Sequence, residues 1–413
     1  MPYLTIKAHL RGAPERFAIL RDAMLSATKV YNGLIFHLRE EYEQQGKACY
    51  SASHLNRIAR GLPRHKELYS DVVDTTRQEV GWAFQSFFTR CKRDKKARPP
   101  GFRKKTRLSP LRYSHPNNGS IKVIHKRGMT YLRISLGTTR KDGVRHLVFR
   151  LHTRPDVDLS QLKNVQIIYD THTRDFQARL VVKVDVPDKQ QGEATVGVDI
   201  GEDWLIAADF CDGSRYLICG RELKATRRYW QKVRAKVKPP TQDHPKMSRR
   251  YRQIARKEAR QITHALHIAS RRFVDVCVDK GVGTIILGDL TGIRQHIAYG
   301  KRMNQRLHAW PYARLSAMIE YKAALLGIKV KVVSEKYTSQ TCPQCNIRKK
   351  SNRKHRGWYS CLCGFEGQAD LVGAFNIHRQ VSGVPSSGRS ARPVVLLFDH
   401  HTIHEAASSR QAA

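Results

Sequence analysis

The sequence has few acidic residues and no long apolar run. It contains 35 Asp and Glu against 75 Lys and Arg, so its formal net charge is +40 at pH 7. No segment reaches the ~18 apolar residues that a membrane-spanning helix needs, which predicts a protein with no membrane partner. Aromatic residues are not scarce (16 Tyr, 13 Phe and 5 Trp), which excludes a disordered basic tail.

The excess of positive charge predicts a polyanionic partner. Like charges on this scale repel one another in the compact state unless a polyanion neutralises them, and nucleic acid is the obvious candidate. A solvated basic surface explains a few excess charges but not a net charge of +40. A chain of 413 residues is also too long to form one ordinary hydrophobic core, so two or three domains are expected.

Cysteine is sparse outside one cluster. Five of the nine cysteines are isolated, and we predict that they are small buried residues in a reducing compartment. These are Cys49, Cys91, Cys211, Cys219 and Cys277.

Four cysteines have metal-ligand spacing: Cys342, Cys345, Cys361 and Cys363. The CPQC segment is typical of a zinc half-site, because its turn directs both sulfurs to one ion. The CLC segment has one residue between its ligands instead of the usual two, so His355 is an alternative ligand. We predict one structural Zn²⁺ held by the four cysteines, in a closed site that serves folding rather than catalysis.

The first half of the sequence alternates between strand and helix patterns. Residues 2–10 read as a strand, and apolar residues recur every three or four positions over 17–38 and 69–91, as in amphipathic helices. Residues 120–187 read as β-structure, with a hairpin across the turn at 141–143. These patterns predict a β-barrel or curled sheet that a helical insertion interrupts after its first strand.

Two basic segments are candidates for contact with phosphates, although a solvated linker remains an alternative for the first. The first surrounds a Pro-Pro-Gly turn, and the second lies between the two cysteine pairs. Their candidate residues are Lys92, Arg93, Lys95, Lys96, Arg98, Arg103, Lys104, Lys105, Arg348, Lys349, Lys350, Arg353, Lys354 and Arg356.

The second half predicts a mixed sheet with helices on both faces. After the linker at 187–193, the order of elements is β-β-β-α-β-α-β, which is that of the RNase H-like fold. Asp199 ends the first of these strands, and Asp370 opens the last helix, although either acid could be a simple cap. Acids that converge on one cleft of a basic protein suit two-metal hydrolysis of phosphodiesters, which uses Mg²⁺ and carboxylate oxygens.

Four segments resemble one known family. VGVDIG, ILGDL, YTSQTCPQC and CGFEGQADLVGAFNI look like the three RuvC motifs and the zinc ribbon of TnpB, the transposon-encoded, RNA-guided DNA nuclease related to type V CRISPR effectors and to eukaryotic Fanzor. The resemblance covers about 194–380 and extends to the first half through architecture alone. It implies a guide RNA and a target double-stranded DNA as partners, and recognition of a short flanking DNA motif.

The sequence departs from the family at the second RuvC motif, where Gly288 stands in place of the usual Glu. Asp289 could substitute, although neighbouring residues of a strand point to opposite faces. Alternatively the nuclease is inactive, or the acid has moved. Glu335 ends IKVKVVSE, a strand expected to lie parallel to TIILGDL and ~4.8 Å from it, and some relatives similarly use a downstream Glu. We therefore predict that Asp199, Glu335 and Asp370 bind two catalytic Mg²⁺ ions.

The resemblance implies an α+β multidomain protein. The predicted domains are a β-barrel wedge domain (1–12 and 99–190), a helical recognition domain (13–98), an RNase H-like (RuvC) nuclease domain (194–337 and 368–380), a zinc ribbon (338–367) and a mostly disordered tail (381–413). The predicted function is metal-dependent, RNA-guided DNA cleavage by a cytoplasmic, nucleoid-associated prokaryotic protein, with a monomer favoured. The alternatives are a nuclease-inactive, repressor-like RNA-guided binding protein, a compact type V CRISPR effector, and a plain DNA-binding transposase or transcription factor.

Overall fold

A computed structural model describes residues 3–114, 119–153, 158–171, 173–187, 192–237, 248–290, 300, 310–355, 357–383, 393–399 and 402–406. The chain divides into two compact units, Tyr3–Val184 and Asp185–Ala413. The division lies beside the linker predicted at 187–193.

The first unit contains an antiparallel sheet of seven strands in the order β2-β6-β7-β1-β5-β4-β3. Buried and exposed positions alternate along β7, as expected for a strand with one face on the core. The predicted hairpin is confirmed, since β4 and β5 pair directly. Among the described strands no pairing joins β2 to β3, so barrel closure stays a prediction. The strands are β1 (Tyr3–Arg11), β2 (Leu111–Tyr113), β3 (Ile121–Lys126), β4 (Met129–Ser135), β5 (His146–His152), β6 (Leu162–Asp170) and β7 (Asp175–Lys183).

Three helices follow β1 in the chain: α1 (Pro14–Gln45), α2 (Ala52–Gly61) and α3 (Ser70–Cys91). The sequence predicts the first and the third. Pro14 suits the first turn of α1, where a missing N–H costs nothing. Helix α2 was not predicted, because it is only ten residues long and buries only Leu55 and Ala59. The buried faces of the helices share one core with the sheet.

The second unit contains a mixed sheet in the order β12-β11-β8-β9-β10-β16-β17. Strands β8, β11 and β12 are parallel neighbours, whereas β9 runs antiparallel to both β8 and β10. Strand β11 is buried along almost its whole length, which explains its continuous apolar sequence. The strands are β8 (Ala194–Asp199), β9 (Trp204–Phe210), β10 (Arg215–Cys219), β11 (Val282–Asp289), β12 (Lys329–Ser334), β16 (Val394–Asp399) and β17 (Thr402–Glu405).

The described part of this unit contains four α-helices: α4 (Arg221–Val237), α5 (Arg249–Asp279), α6 (Tyr312–Leu325) and α7 (Ala369–Ser382). Helices α4 and α6 both pack on α5, whereas α7 packs on β8 and β9. The element order matches the one predicted for this half of the chain.

A small three-stranded sheet precedes α7. It consists of β13 (Arg353–His355), β14 (Trp358–Ser360) and β15 (Glu366–Gln368), paired in that order. Tyr359 is fully buried in its core beside Cys342 and Cys361.

The tail over 381–413, predicted to be mostly disordered, contains two strands among its described residues. Strand β16 (Val394–Asp399) pairs parallel to β10, and β17 (Thr402–Glu405) pairs antiparallel to β16. The apolar run VVLLF gains a partner that lies about 180 residues earlier in the chain, which local sequence patterns do not reveal.

Two of the isolated cysteines also differ from prediction. Cys219 and Cys277 are buried as expected, but Cys49 and Cys211 are exposed and Cys91 is half-buried. Among the described helices none is both long enough and apolar enough to cross a bilayer.

Candidate functional site

The three predicted acids lie at one edge of the second sheet. Asp199 is the last residue of β8, and Glu335 directly follows β12. Because β8, β11 and β12 are parallel, their carboxyl ends meet at the same edge. The expected parallel pairing of β12 with β11 is confirmed, with Gly288 opposite Val333.

The side chain of Glu335 lies over Gly288. A Cβ atom built on Gly288 would lie 2.1 Å from Oε1 of Glu335 and 2.2 Å from its Cγ. These approaches are far shorter than van der Waals contact, so a residue with a side chain at 288 would displace Glu335. The Glu335 carboxylate thus occupies the space that a side chain on this strand would otherwise fill.

Asp370 lies in the first turn of α7. The helix is capped by Gln368, whose side chain accepts a hydrogen bond from the Leu371 N–H, so Asp370 is not the cap. A Cβ atom on Gly373 would lie 2.5 Å from Oδ2 of Asp199. Glycine at this position therefore lets α7 approach Asp199 closely, one turn beyond Asp370.

A second glycine and a series of buried polar contacts hold α7 on the sheet. A Cβ atom on Gly197 would lie 2.3 Å from Cβ of His378, so strand and helix are in direct contact. His378 lies 2.8 Å from the Thr195 hydroxyl and 3.1 Å from the Asp209 carboxylate. Arg215 in turn donates to Asp209. These contacts, which the sequence did not reveal, fix the helix that carries Asp370.

The electrostatics of the acids are those of crowded, partly buried carboxyl groups. Burial, then the charges of Asp370 and Glu335, raise the pKa of Asp199 well above its ordinary value. Burial, then the charge of Asp289, raises the pKa of Glu335 to about 7. Both acids hold their protons more tightly than free carboxyl groups do.

The donor set suits hard cations. Oε1 of Glu335 is buried and has no hydrogen-bond partner among the described residues. The carboxylates of Asp199, Glu335 and Asp370 (the acidic centre) do not belong to any described group of metal-ligating atoms within 4.8 Å of one another. Two-metal sites place their ions ~3.5–4 Å apart, so their ligand atoms need not all converge on one point. Oxygen donors in such a setting fit Mg²⁺.

Arg353 faces the acidic centre. Its guanidinium group lies 3.8 Å from Oδ1 of Asp370, and its charge opposes the rise in the pKa of Asp199. Arg353 is among the residues predicted to contact nucleic acid, because a charge run does not show that one member turns towards an acid 17 residues later in the chain.

The four predicted cysteines form a compact cluster. Their Sγ atoms lie within 4.8 Å of one another, and the pairs Cys342–Cys363 and Cys345–Cys361 are each 3.6 Å apart. Tetrahedral zinc with Zn–S bonds of about 2.3 Å requires sulfurs about 3.8 Å apart, so the cluster fits a metal ion. His355 is exposed and lies outside the cluster.

The thiols of the cysteine cluster (Cys342, Cys345, Cys361 and Cys363) are unequal. A hydrogen bond from the backbone of Cys363 lowers the pKa of Cys361 to about 7, whereas burial raises the pKa of Cys342 to about 12. The side chain of Asn352 donates to the Cys361 sulfur over 3.4 Å. Partners of this kind orient metal ligands.

Most of the basic residues predicted to contact nucleic acid are exposed. Arg103 is an exception. Arg103 pairs with Glu79, donates to Ser109 and stacks on Tyr31, so it stabilises the first unit instead of facing solvent. Arg356 lies outside the described residues. The exposed ones are Lys92, Arg93, Lys95, Lys96, Arg98, Lys104, Lys105, Arg348, Lys349, Lys350, Arg353 and Lys354.

Two family models match the second half of the chain. The model described as "Probable transposase" matches residues 179–294, and the model described as "Cas12f1-like, TNB domain" matches residues 312–377. The first match ends just after β11, and the second includes the cysteine cluster and Asp370.

Curated relatives agree with these matches. A CRISPR-associated endodeoxyribonuclease Cas12f1 of Sulfoacidibacillus thermotolerans is 40% identical over 112 residues, which are 27% of this chain and 25% of that protein. The TnpB-like protein ORF457 of Acidianus two-tailed virus is 23% identical over 431 residues, or 95% of this chain and 89% of the relative. The chain thus spans a quarter of the first relative and most of the second, and its resemblance to the TnpB family is confirmed.

Solved structures share the fold. A Cas12f1-sgRNA-target DNA complex aligns with a TM-score of 0.59 at 18% identity, over 88% of this chain and 82% of the other. The mini-RNA-guided endonuclease CRISPR-Cas_phi3 aligns with a TM-score of 0.53 at 11% identity, over 94% of each chain. The mixed α/β multidomain architecture predicted from the sequence is confirmed.

Proposed function

We propose that this TnpB-like chain is an RNA-guided DNA endonuclease that cuts at the acidic centre. The single observation that carries the proposal is the position of Glu335, whose side chain lies over Gly288 beside the strand that ends in Asp199. A chain that had merely lost its second acid would have no reason to keep a half-buried carboxylate there, because its Oε1 is buried without a hydrogen-bond partner among the described residues and such burial is costly.

Asp199, Glu335 and Asp370 would hold two Mg²⁺ ions in an RNase H-like domain. Such ions activate water for attack on a phosphodiester and stabilise the leaving oxygen. The chain's own contribution is to position the three carboxylates, with α7 held on β8 through Gly197 and Gly373. Burial and the charges of neighbouring acids raise the pKa values of Asp199 and Glu335, and bound cations would favour the ionised forms of both.

Arg353 would assist at the same centre. Its guanidinium group partly offsets the negative charge of Asp370 over 3.8 Å. Since Arg353 lies on β13, it links the cysteine-containing sheet to the acids. The cysteine cluster would hold one structural Zn²⁺ that keeps this sheet folded.

The nucleic-acid partners would be a guide RNA and target double-stranded DNA. The exposed basic segments 92–105 and 348–354 supply charge for phosphate contacts, while base pairing with the guide supplies sequence choice. A short DNA motif beside the target would be read by the protein. Two of the similar structures are named as RNA-guided or as an sgRNA and target DNA complex, which supports these partners by analogy.

A cleavage assay with matched variants tests the proposal. The protein is purified with its co-expressed RNA, and cutting of matched DNA is followed in Mg²⁺ for wild type, Glu335→Ala and the neighbouring acid variant Asp289→Ala. We expect wild type and Asp289→Ala to cut, and Glu335→Ala and EDTA-treated wild type not to. Tight binding without cutting by wild type would instead support the nuclease-inactive alternative.

A further inference from the structure

A cleft in the second unit gathers three arginines. It has a volume of about 430 Å³ and lies between α4, α5 and the start of α6. Its lining includes Arg227, Arg234, Glu258, Trp310 and Arg314, together with small alanine side chains that leave it open (the arginine cleft). A volume of this size accommodates a small-molecule group or one unit of a polymer.

The positive charge in the cleft is only partly neutralised by the protein. Glu258 is buried and pairs with Arg234 over 2.9 Å, so the one carboxylate of the lining is already engaged. Arg314 donates to the Thr263 hydroxyl, which carries no charge. Of the three arginines, only Arg234 forms an ion pair with a described carboxylate, while the charge of Glu258 also acts on Arg227 without a direct pair.

Arg227 is positioned by an aromatic ring and has its hydrogen-bond donors available for a ligand. Its guanidinium group lies over the buried Trp310 ring, 5.7 Å from the ring centroid, and it makes no hydrogen bond or ion pair with any other described residue. Burial lowers the pKa of Arg227, the charge of Glu258 opposes this, and the charges of Arg234 and Arg314 add to it. A guanidinium fork in this setting gains most from an anion with two or more oxygens, such as a phosphate.

The cleft is connected to the acidic centre through the loop after β8. The indole N–H of Trp310 donates to the Gly201 carbonyl over 3.2 Å, and Gly201 is two residues beyond Asp199. A Cβ atom on Gly201 would in turn lie 3.8 Å from Oδ2 of Asp370. One loop therefore contacts the wall of the cleft and the acids.

We propose that the arginine cleft binds a backbone phosphate of the DNA strand that enters the acidic centre. The inference rests on the proposed nuclease function for the identity of the strand, but the phosphate site is argued from the cleft alone. Arg227 and Arg314 contact the phosphate, and Arg234 is kept in place by Glu258. A strand fixed on this side of the Gly201 loop presents a neighbouring phosphodiester to the acids.

The test measures strand binding without cleavage. Protein with its co-purified RNA is titrated in EDTA with a short fluorescein-labelled single-stranded DNA, over a series of salt concentrations. The variants are Arg227→Gln and Arg314→Gln, and the matched control is Arg228→Gln, an exposed neighbour on α4 outside the cleft. The amount of co-purified RNA and the melting temperature are recorded for each.

We expect each cleft variant to raise the Kd for DNA about tenfold and to reduce the salt slope of log K by about 0.7, the value for one phosphate contact on a single strand. Arg228→Gln should leave both unchanged. Unchanged DNA binding in both cleft variants would overturn the proposal, as would a loss of co-purified RNA with DNA binding intact, which would assign the cleft to the guide.

A different result would count against the nuclease function alone. If wild type binds DNA with the expected dependence on Arg227 and Arg314 but never cuts, the phosphate site stands and the nuclease function falls.

Discussion

The two candidate metal sites of the second unit differ in how closely their ligand atoms approach one another. The four cysteine sulfurs gather within 4.8 Å, whereas the three carboxylates do not. Thiols can stay neutral and converge before an ion binds, but carboxylates repel one another and resist ionisation when crowded and buried. The closed site therefore suits a structural ion, and the open site suits ions that must also meet a substrate.

The largest effect is expected from breaking the closed site. Cys345→Ser removes a ligand, so bound zinc should fall from one ion per chain to none, and the small sheet that carries Arg353 should lose its order. Zinc content by atomic emission and limited proteolysis of 338–367 check this. Exposed Cys49, replaced by Ser, is the control and should change neither. Full zinc content in Cys345→Ser would contradict the four-cysteine site.

At the acidic centre, a substitution is expected to abolish activity without lowering stability. Asp199→Asn should abolish cleavage, by more than about 10³-fold, which exceeds the 10–100-fold usual for residues that only support ligands. The same change relieves repulsion among buried acids, so the melting temperature in EDTA should not fall. A variant that melts earlier and keeps its activity would reverse the assignment of Asp199.

A smaller loss is expected from displacing Glu335 without removing it. Gly288→Ala places a Cβ atom where Oε1 of Glu335 lies, so the carboxylate must move. Cleavage should fall about 10²-fold, since small misplacements of catalytic groups have effects of that size. Gly213→Ala is the control. Gly213 lies in the turn between β9 and β10 with a φ of 80°, so this change strains the backbone at a position outside the acidic centre. Wild-type cleavage by Gly288→Ala would show that Glu335 need not occupy this space.

The smallest effect concerns pH. The pKa of Glu335 is raised to about 7 in the folded protein, so the folded state binds its proton more tightly than the unfolded state. Stability without metal should therefore fall as pH rises from about 4.5 to about 7, and Mg²⁺ should reduce the fall. Melting curves in EDTA across this range, compared with Glu335→Gln, isolate the contribution. An identical pH dependence in the variant would contradict it.

The comparison also shows what the sequence could predict. The cysteine cluster was recognisable because its spacing is local, and β8 and β11 because buried strands are continuous apolar runs. Glu335 was identified through the expected pairing of two strands. Its position over Gly288 could not be derived, because it depends on side-chain direction.

Other features depended on contacts between distant parts of the chain. Arg353 and Arg103 look alike in sequence, yet one faces Asp370 and the other pairs with Glu79 inside the first unit. Strand β16 depends on β10 for its pairing, and the arginine cleft combines three helices. A pattern read along the chain carries no information on such contacts.

The central claim is that Glu335 has taken the place of an acid at position 288, and an exchange of the two positions tests it most directly. Cleavage of matched DNA in Mg²⁺ is measured for wild type, Glu335→Ala, and Glu335→Ala combined with Gly288→Glu. The account predicts loss of cleavage in the single variant and recovery of at least about tenfold in the double variant, because both side chains reach the same space. Cleavage at the wild-type rate by Glu335→Ala alone would contradict it.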